Sequence, residues 1–213
     1  QYLTRLFINE LYQPYPKLQI EIIELKTENI ISELKQGNLD CGILSTPVLS
    51  TGIIFQPLFY ERFYIYVSEN HKLFKEDQIG TDQLNDEEIW YLEEGNCFQN
   101  QVSSICPVSD HKRSSRQLIY KSSSIESLRR IVENKDGITF IPELATINIP
   151  AELEDMVKEF KGAQPVREIS LVINKTHSKE RQTEALRNVI EGCVPKRMLS
   201  RSGTVIDTRI QLK

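Results

Sequence analysis

No stretch of the chain comes near the eighteen or so consecutive apolar residues that cross a bilayer. Nothing at its start has the charged, apolar, small-residue succession of a secretory leader. Cysteine is sparse, with four in 213 residues, and that does not suit the disulfide framework of a small secreted fold. These absences point to a cytosolic compartment, where a disulfide is transient or sensing rather than structural. Histidine is scarcer still. His71, His111 and His177 stand far apart with no CxxC or HxxxH spacing around them, which removes the usual metal sites, and no cofactor is expected. Concentrated positive charge is also missing. The net charge is −4 with Lys and Arg dispersed, so the chain lacks the electrostatic footprint of an autonomous nucleic-acid binder. Internal repeats and low-complexity tracts are absent as well.

What is present is an ordinary globular composition, 39% hydrophobic and 26% charged, enough for one large domain or two small ones. Leu3, Leu6, Phe7 and Leu11 recur at helical spacing before Pro16. "LQIEIIEL" (18–25) alternates as a strand does. Thr27 then caps a short helix that ends at Gly37, and "LDCGIL" (39–44) is a second strand. Further strands are predicted at 62–70, 87–94, 115–121, 138–141 and 167–174. Ser123-x-x-Glu126 reads as a capping box opening a helix over 125–134, and Ser178 caps a last helix ended by Gly192 and Pro195. The tail from about 199 has no periodicity and is expected to be poorly ordered or extended. The β-α pattern occurs twice, which predicts an α/β protein of two Rossmann-like lobes joined by two crossover strands. Lobe I is placed at 1–64 plus 168–213 and lobe II at 65–167. The start at Gln1, inside a helical pattern, suggests a piece of a longer protein.

One segment carries chemistry. In "EEGNCFQNQVSSIC" (93–106), Gly95 and Asn96 are turn and cap residues, so Cys97 falls in a first helical turn. Phe98, Val102 and Ile105 continue at helical spacing, and Pro107 stops the helix just after Cys106. Unpaired N–H groups and the positive end of the helix dipole favour a thiolate there, the form that attacks peroxides and disulfides. Nine residues of helix separate the two sulfurs by roughly 13.5 Å of rise, whereas a disulfide needs Cα atoms within about 7 Å. The spacing is poor for a static crosslink and suited to a switch. It leaves open that both are simply small buried apolar residues, as expected for Cys41 and Cys193.

The chain resembles the effector-binding, regulatory domain of LysR-type transcriptional regulators, and within them the peroxide-sensing branch. "YPKLQIEIIELKTENIISELKQGNLDCGIL" (15–44) is similar to the opening of that domain, and "SSIESLRRIVENKDGITFIPEL" (123–144) to its capped helix leading into GIT-x-x-P. "YLEEGNCFQNQVSSIC" resembles the redox segment of the peroxide sensors. The resemblance extends to about residue 195. It implies a fold of the periplasmic-binding-protein type II kind. It implies that hydrogen peroxide oxidises Cys97 and that Cys106 resolves the product into a disulfide, refolding 93–115 and altering oligomer packing. Thr27 matches a threonine facing the peroxide pocket, and Arg167 an arginine supporting the thiolate. Asn96, Gln99 and Asn100 stand where those sensors carry a histidine and an Arg-Asp pair, so neutral amides replace titratable groups.

The family's partners follow by the same resemblance: a homodimer, a full-length tetramer, promoter DNA through a helix-turn-helix preceding Gln1, RNA polymerase, and a glutaredoxin-like thiol reductant, with no membrane. Three other readings compete. The cysteines could be incidental to a metabolite-binding LysR-type domain, with a ligand in a crevice near Thr27 and Ser122, Ser123 and Ser124. The pair could serve a thiol peroxidase, although no peroxidase signature is present and the expectation is a protein that is not an enzyme. A secreted two-lobed solute-binding protein is the third. The serines are better explained as capping residues than as an anion site.

Overall fold

The computed structural model describes residues 2–85, 87–93, 97–106, 120, 122–176, 179–208 and 210–211. The predicted strand at 115–121 apart from Tyr120, which is exposed, the capping roles of Gly95, Asn96 and Ser178, and the stop at Pro107 lie outside the described residues. The chain divides into two compact units, Gln1–Glu61 with Arg167–Ser202 and Thr208–Lys213, and Arg62–Val166 with Gly203–Asp207. Two long strands pass from one unit into the other: β3 (Ile53–Val67) and β7 (Pro165–Asn174). The mixed α/β architecture is that of the predicted fold class.

In the first unit, α1 (Tyr2–Tyr12) buries Phe7 and Leu11 and packs against α5 (Glu180–Cys193). α2 (Thr27–Gln36) buries Ile31 and Leu34 and is closed by Gly37 in the left-handed conformation, φ 78°. β1 (Gly42–Thr46) runs antiparallel to β7, Gly42 facing Val172 and Thr46 facing Glu168. The stretch 18–25 forms no strand. Its alternation is real, but no ladder includes it among the described residues, and Ile22, Ile23 and Leu25 stay exposed. Apolar alternation makes a strand only where a neighbour supplies N–H and C=O partners.

In the second unit the inner half of β3 has neighbours on both sides. It pairs antiparallel with β5 (Ile138–Pro142) from Phe63↔Pro142 to Val67↔Ile138, and with β6 (Val157–Phe160) at Ile65↔Lys158. β4 (Gln78–Ile79) extends β6 in parallel. Strand β3 is completely buried at Phe63, Ile65, Tyr66 and Val67, while Phe140 stacks on Phe160 at 6.0 Å. β3 starts nine residues before the predicted strand, because Pro57 and the consecutive apolar residues on either side of Gln56-Pro57 hide the alternation. Residues 87–93 contribute a single bridge, Ile89 to Ile138, rather than a strand.

The tail differs most from expectation. Thr204–Val205 (β8) lies parallel on Pro165–Val166, which is why Gly203–Asp207, expected in lobe I, group with the second unit. Ile210–Gln211 (β9) lies parallel on β2 (Val48–Leu49) in the first unit. Gly192 does not end α5, which runs on to Cys193 with Val194 as its cap and Pro195 beyond.

Candidate redox site

Helix α3 (Cys97–Ile105) begins on the first cysteine. Phe98, Val102 and Cys106 are buried, at 3%, 1% and 1% exposure. Phe98 stacks on Phe63 with ring centroids 5.1 Å apart, so the helix is anchored to the central strand of its own unit. The N–H of Cys106 donates to the carbonyl of Val102 at 2.9 Å and prolongs the helical ladder to the second cysteine. Cys97 is half-buried, Cys106 is buried, and all four cysteines are free thiols. Ladder geometry therefore holds the pair roughly 13.5 Å apart along one axis, well beyond disulfide reach.

Burial alone pushes the Cys106 thiol up. Burial first, then Asp40, raises Cys41 to about 11, and burial followed by Glu10 raises Cys193. These three thiols are therefore held in the protonated, weakly nucleophilic form. Cys97 is the thiol that combines partial exposure with the first position of a helix.

The flanks of the segment are tied. The N–H of Glu93 donates to the carbonyl of Ser122 at 2.8 Å, so the stem before the redox helix is bonded to the stem after it. Ser122 Oγ accepts from the N–H of Ser124 at 3.0 Å. The cap of α4 (Ile125–Asn134) is Ser124, whose Oγ accepts from the N–H of Ser127 at 3.3 Å. This corrects the predicted Ser123–Glu126 box. Ser123 is exposed, and Glu126 instead takes Arg129 at 2.7 Å. Ser124→Ala should lower stability by about 1 kcal/mol in a urea melt.

The remaining predicted residues are distributed as follows. Gln99 Nε2 donates to Ser103 Oγ at 3.1 Å, and the Asn100 carbonyl accepts from Ser104 Oγ at 3.1 Å, both inside α3. Asn96 lies outside the described residues. Thr27 and Arg167 belong to the first unit, whereas α3 belongs to the second. Thr27 is the first residue of α2, buried, while Lys26 holds the cap position without a side-chain bond, so Thr27 is no exposed N-cap. Arg167 closes on Glu61, Nε at 2.7 Å and a terminal nitrogen at 2.6 Å from the same oxygen, with Glu61 only 1% exposed. Sequence reasoning missed the two contacts that hold α3, the Phe63 ring under Phe98 and the fully buried Gln101, and, in the first unit, the Glu61 carboxylate that engages Arg167. Only the helical spacing of Phe98 gave any sign of them.

Residues 1–193 match the LysR substrate binding domain family. The chain belongs to that family. This LysR-type domain is 32% identical over 171 residues to a hydrogen peroxide-inducible genes activator of Haemophilus influenzae, covering 80% of the chain and 56% of that protein. It is 28% identical over 191 residues to the HTH-type transcriptional regulator EstR of Acinetobacter baylyi, covering 89% and 62%. The domain thus spans about three fifths of the length of these curated relatives. Among solved structures, OxyR from Porphyromonas gingivalis superposes with a TM-score of 0.87 at 30% identity, covering 96% of this chain and 93% of that one. Among the described residues of the LysR-type domain no helix is long and apolar enough to cross a membrane.

Proposed function

We propose that the chain is the redox-sensing regulatory domain of a cytoplasmic transcription activator that responds to hydrogen peroxide. One observation carries the reading: a half-exposed thiol and a buried thiol sit nine residues apart on one continuous helical ladder. The likeness to OxyR and to a peroxide-inducible activator supports it.

The chemistry balances in two steps. Cys97 sulfur attacks a peroxide oxygen, the O–O bond breaks, and Cys97–SOH and one water result. Cys106 sulfur then attacks the sulfenic sulfur, the S–O bond breaks, and the disulfide and a second water result. The peroxide is reduced by two electrons and the two thiols are oxidised. Because the reduced helix separates the sulfurs, closure requires α3 to unwind between its tied stems, and that refolding is the signal. The same reading gives Thr27, Asn96, Gln99, Asn100 and Arg167 the pocket roles that the resemblance implies. It makes the whole protein a dimer or tetramer that binds promoter DNA, engages RNA polymerase and is reset by a glutaredoxin-like reductant.

A sensor reacts once, whereas a peroxidase turns over. Titration with hydrogen peroxide in the absence of reductant should consume one equivalent per chain and remove two thiols. With a thiol reductant supplied, recovery should be slow. Sustained rapid turnover would instead favour a thiol peroxidase.

A further inference from the structure

Gln101 stands midway between the two cysteines and is completely buried, yet neither thiol step uses it. Its Nε2 donates to the carbonyl of Ile206 in the C-terminal tail at 2.8 Å. That tail is docked on the start of β7 by two backbone bonds, from the N–H of Thr204 to the carbonyl of Gln164 at 3.1 Å and from the N–H of Ile206 to the carbonyl of Val166 at 2.8 Å. It lies so close there that a Cβ on Gly203 would collide with the Gln164 carbonyl oxygen and the Val166 side chain. Two residues beyond Ile206 the tail belongs to the first unit, where the Thr208 hydroxyl donates to the Pro47 carbonyl and Ile210–Gln211 pairs with Val48–Leu49.

We propose that residues 203–207 form a redox-released strap, docked while α3 is helical and freed when the disulfide closes. The inference rests on the redox reading above. Two thiols and one peroxide become one disulfide and two waters, and the sulfurs can meet only if α3 loses its turns. Gln101 lies within those turns, so its amide cannot keep its place, and the Ile206 carbonyl loses its donor. The strap is tied to the redox helix by the Gln101 side chain, and the chain continues from it into the first unit. Its release therefore reaches beyond the segment that carries the cysteines. Coupling of this kind is reciprocal: if unwinding α3 frees the strap, loosening the strap must favour the unwound, disulfide-bonded form.

Hydrogen–deuterium exchange on the whole chain tests both directions. Oxidation by peroxide should speed exchange at the Thr204 and Ile206 amides at least about fivefold, the lower end for losing a hydrogen-bond partner, with β5 amides unchanged. Gly203→Ala, whose Cβ would meet the Gln164 carbonyl and the Val166 side chain first, should shift the thiol–disulfide equilibrium about fivefold toward the disulfide against a dithiothreitol couple. Gln101→Leu, which keeps an apolar filling in the helix, should do the same and serves if Gly203→Ala misfolds. Unchanged tail exchange in fully crosslinked protein, or an equilibrium unmoved by both variants, overturns the strap and leaves the redox reading intact. Failure to form the disulfide at all overturns both.

Discussion

A Cys106→Ser variant treated with one equivalent of hydrogen peroxide is expected to accumulate sulfenic acid on Cys97, close to one per chain, trappable with a dione reagent and visible by mass spectrometry. The buried thiol is the one removed, and with it the only group that the scheme offers to condense with the sulfenic acid. Cys97→Ser should give the opposite result: Cys106 stays a thiol at peroxide concentrations that oxidise the wild-type protein. The asymmetry follows from position. Cys106 is 1% exposed and its thiol is pushed up by burial, so it is protonated and shielded, whereas Cys97 opens the helix half-buried. Oxidation of Cys106 ahead of Cys97 would reverse the assigned roles. Cys41 and Cys193, whose thiols burial also raises, should remain unmodified in both variants.

The second large effect is expected at Phe98. Its ring is 3% exposed and stacked on Phe63 at 5.1 Å, and removing such a ring costs about 3–5 kcal/mol. If α3 unwinds on oxidation, that packing belongs chiefly to the reduced state. Phe98→Ala should therefore destabilise the reduced protein by about 3 kcal/mol in urea and the oxidised protein by clearly less. The same difference shifts the thiol–disulfide equilibrium toward the disulfide by about two orders of magnitude, since 1.4 kcal/mol is tenfold. Equal losses in both states, with the equilibrium unmoved, would mean that the helix survives oxidation and stores nothing.

This places the switch energy in ordinary packing. The reduced form gains the Phe98–Phe63 stack, the burial of Val102 and Cys106, and the Gln101 amide bond to the tail. The oxidised form gains one covalent bond. The tie between Glu93 and Ser122 lies outside α3, so the two stems can stay paired while the helix between them, and the tail strap bonded to Gln101, rearrange.

Local signals in the sequence were legible where they decided the structure by themselves. Gly37 ended α2, the apolar spacing of Phe98 and Val102 made α3, and Ile138–Ile141 made a buried strand. They misled where a partner decides. Residues 18–25 alternate but form no strand, and the capping signature at Ser123–Glu126 sits one residue before the actual cap, because Ser124 Oγ reaches the Ser127 N–H. Tertiary pairing was invisible. The tail at 203–211 has no periodicity, and its order comes from hydrogen bonds to β7, β2 and Gln101 that no local pattern encodes. At the candidate site the two cysteines and their spacing could be read directly. The engagement of Arg167 by Glu61 could not, because it joins residues 106 positions apart.

The central claim is that peroxide converts the separated Cys97 and Cys106 thiols into one disulfide within a single chain. Peptide mapping under non-reducing conditions after treatment with one equivalent of hydrogen peroxide tests it most directly. The expected result is a single crosslinked species joining the Cys97 and Cys106 peptides, with Cys41 and Cys193 recovered as thiols. Recovery of Cys97 and Cys106 in separate, unlinked peptides, or a bond from either of them to Cys41 or Cys193, would contradict it.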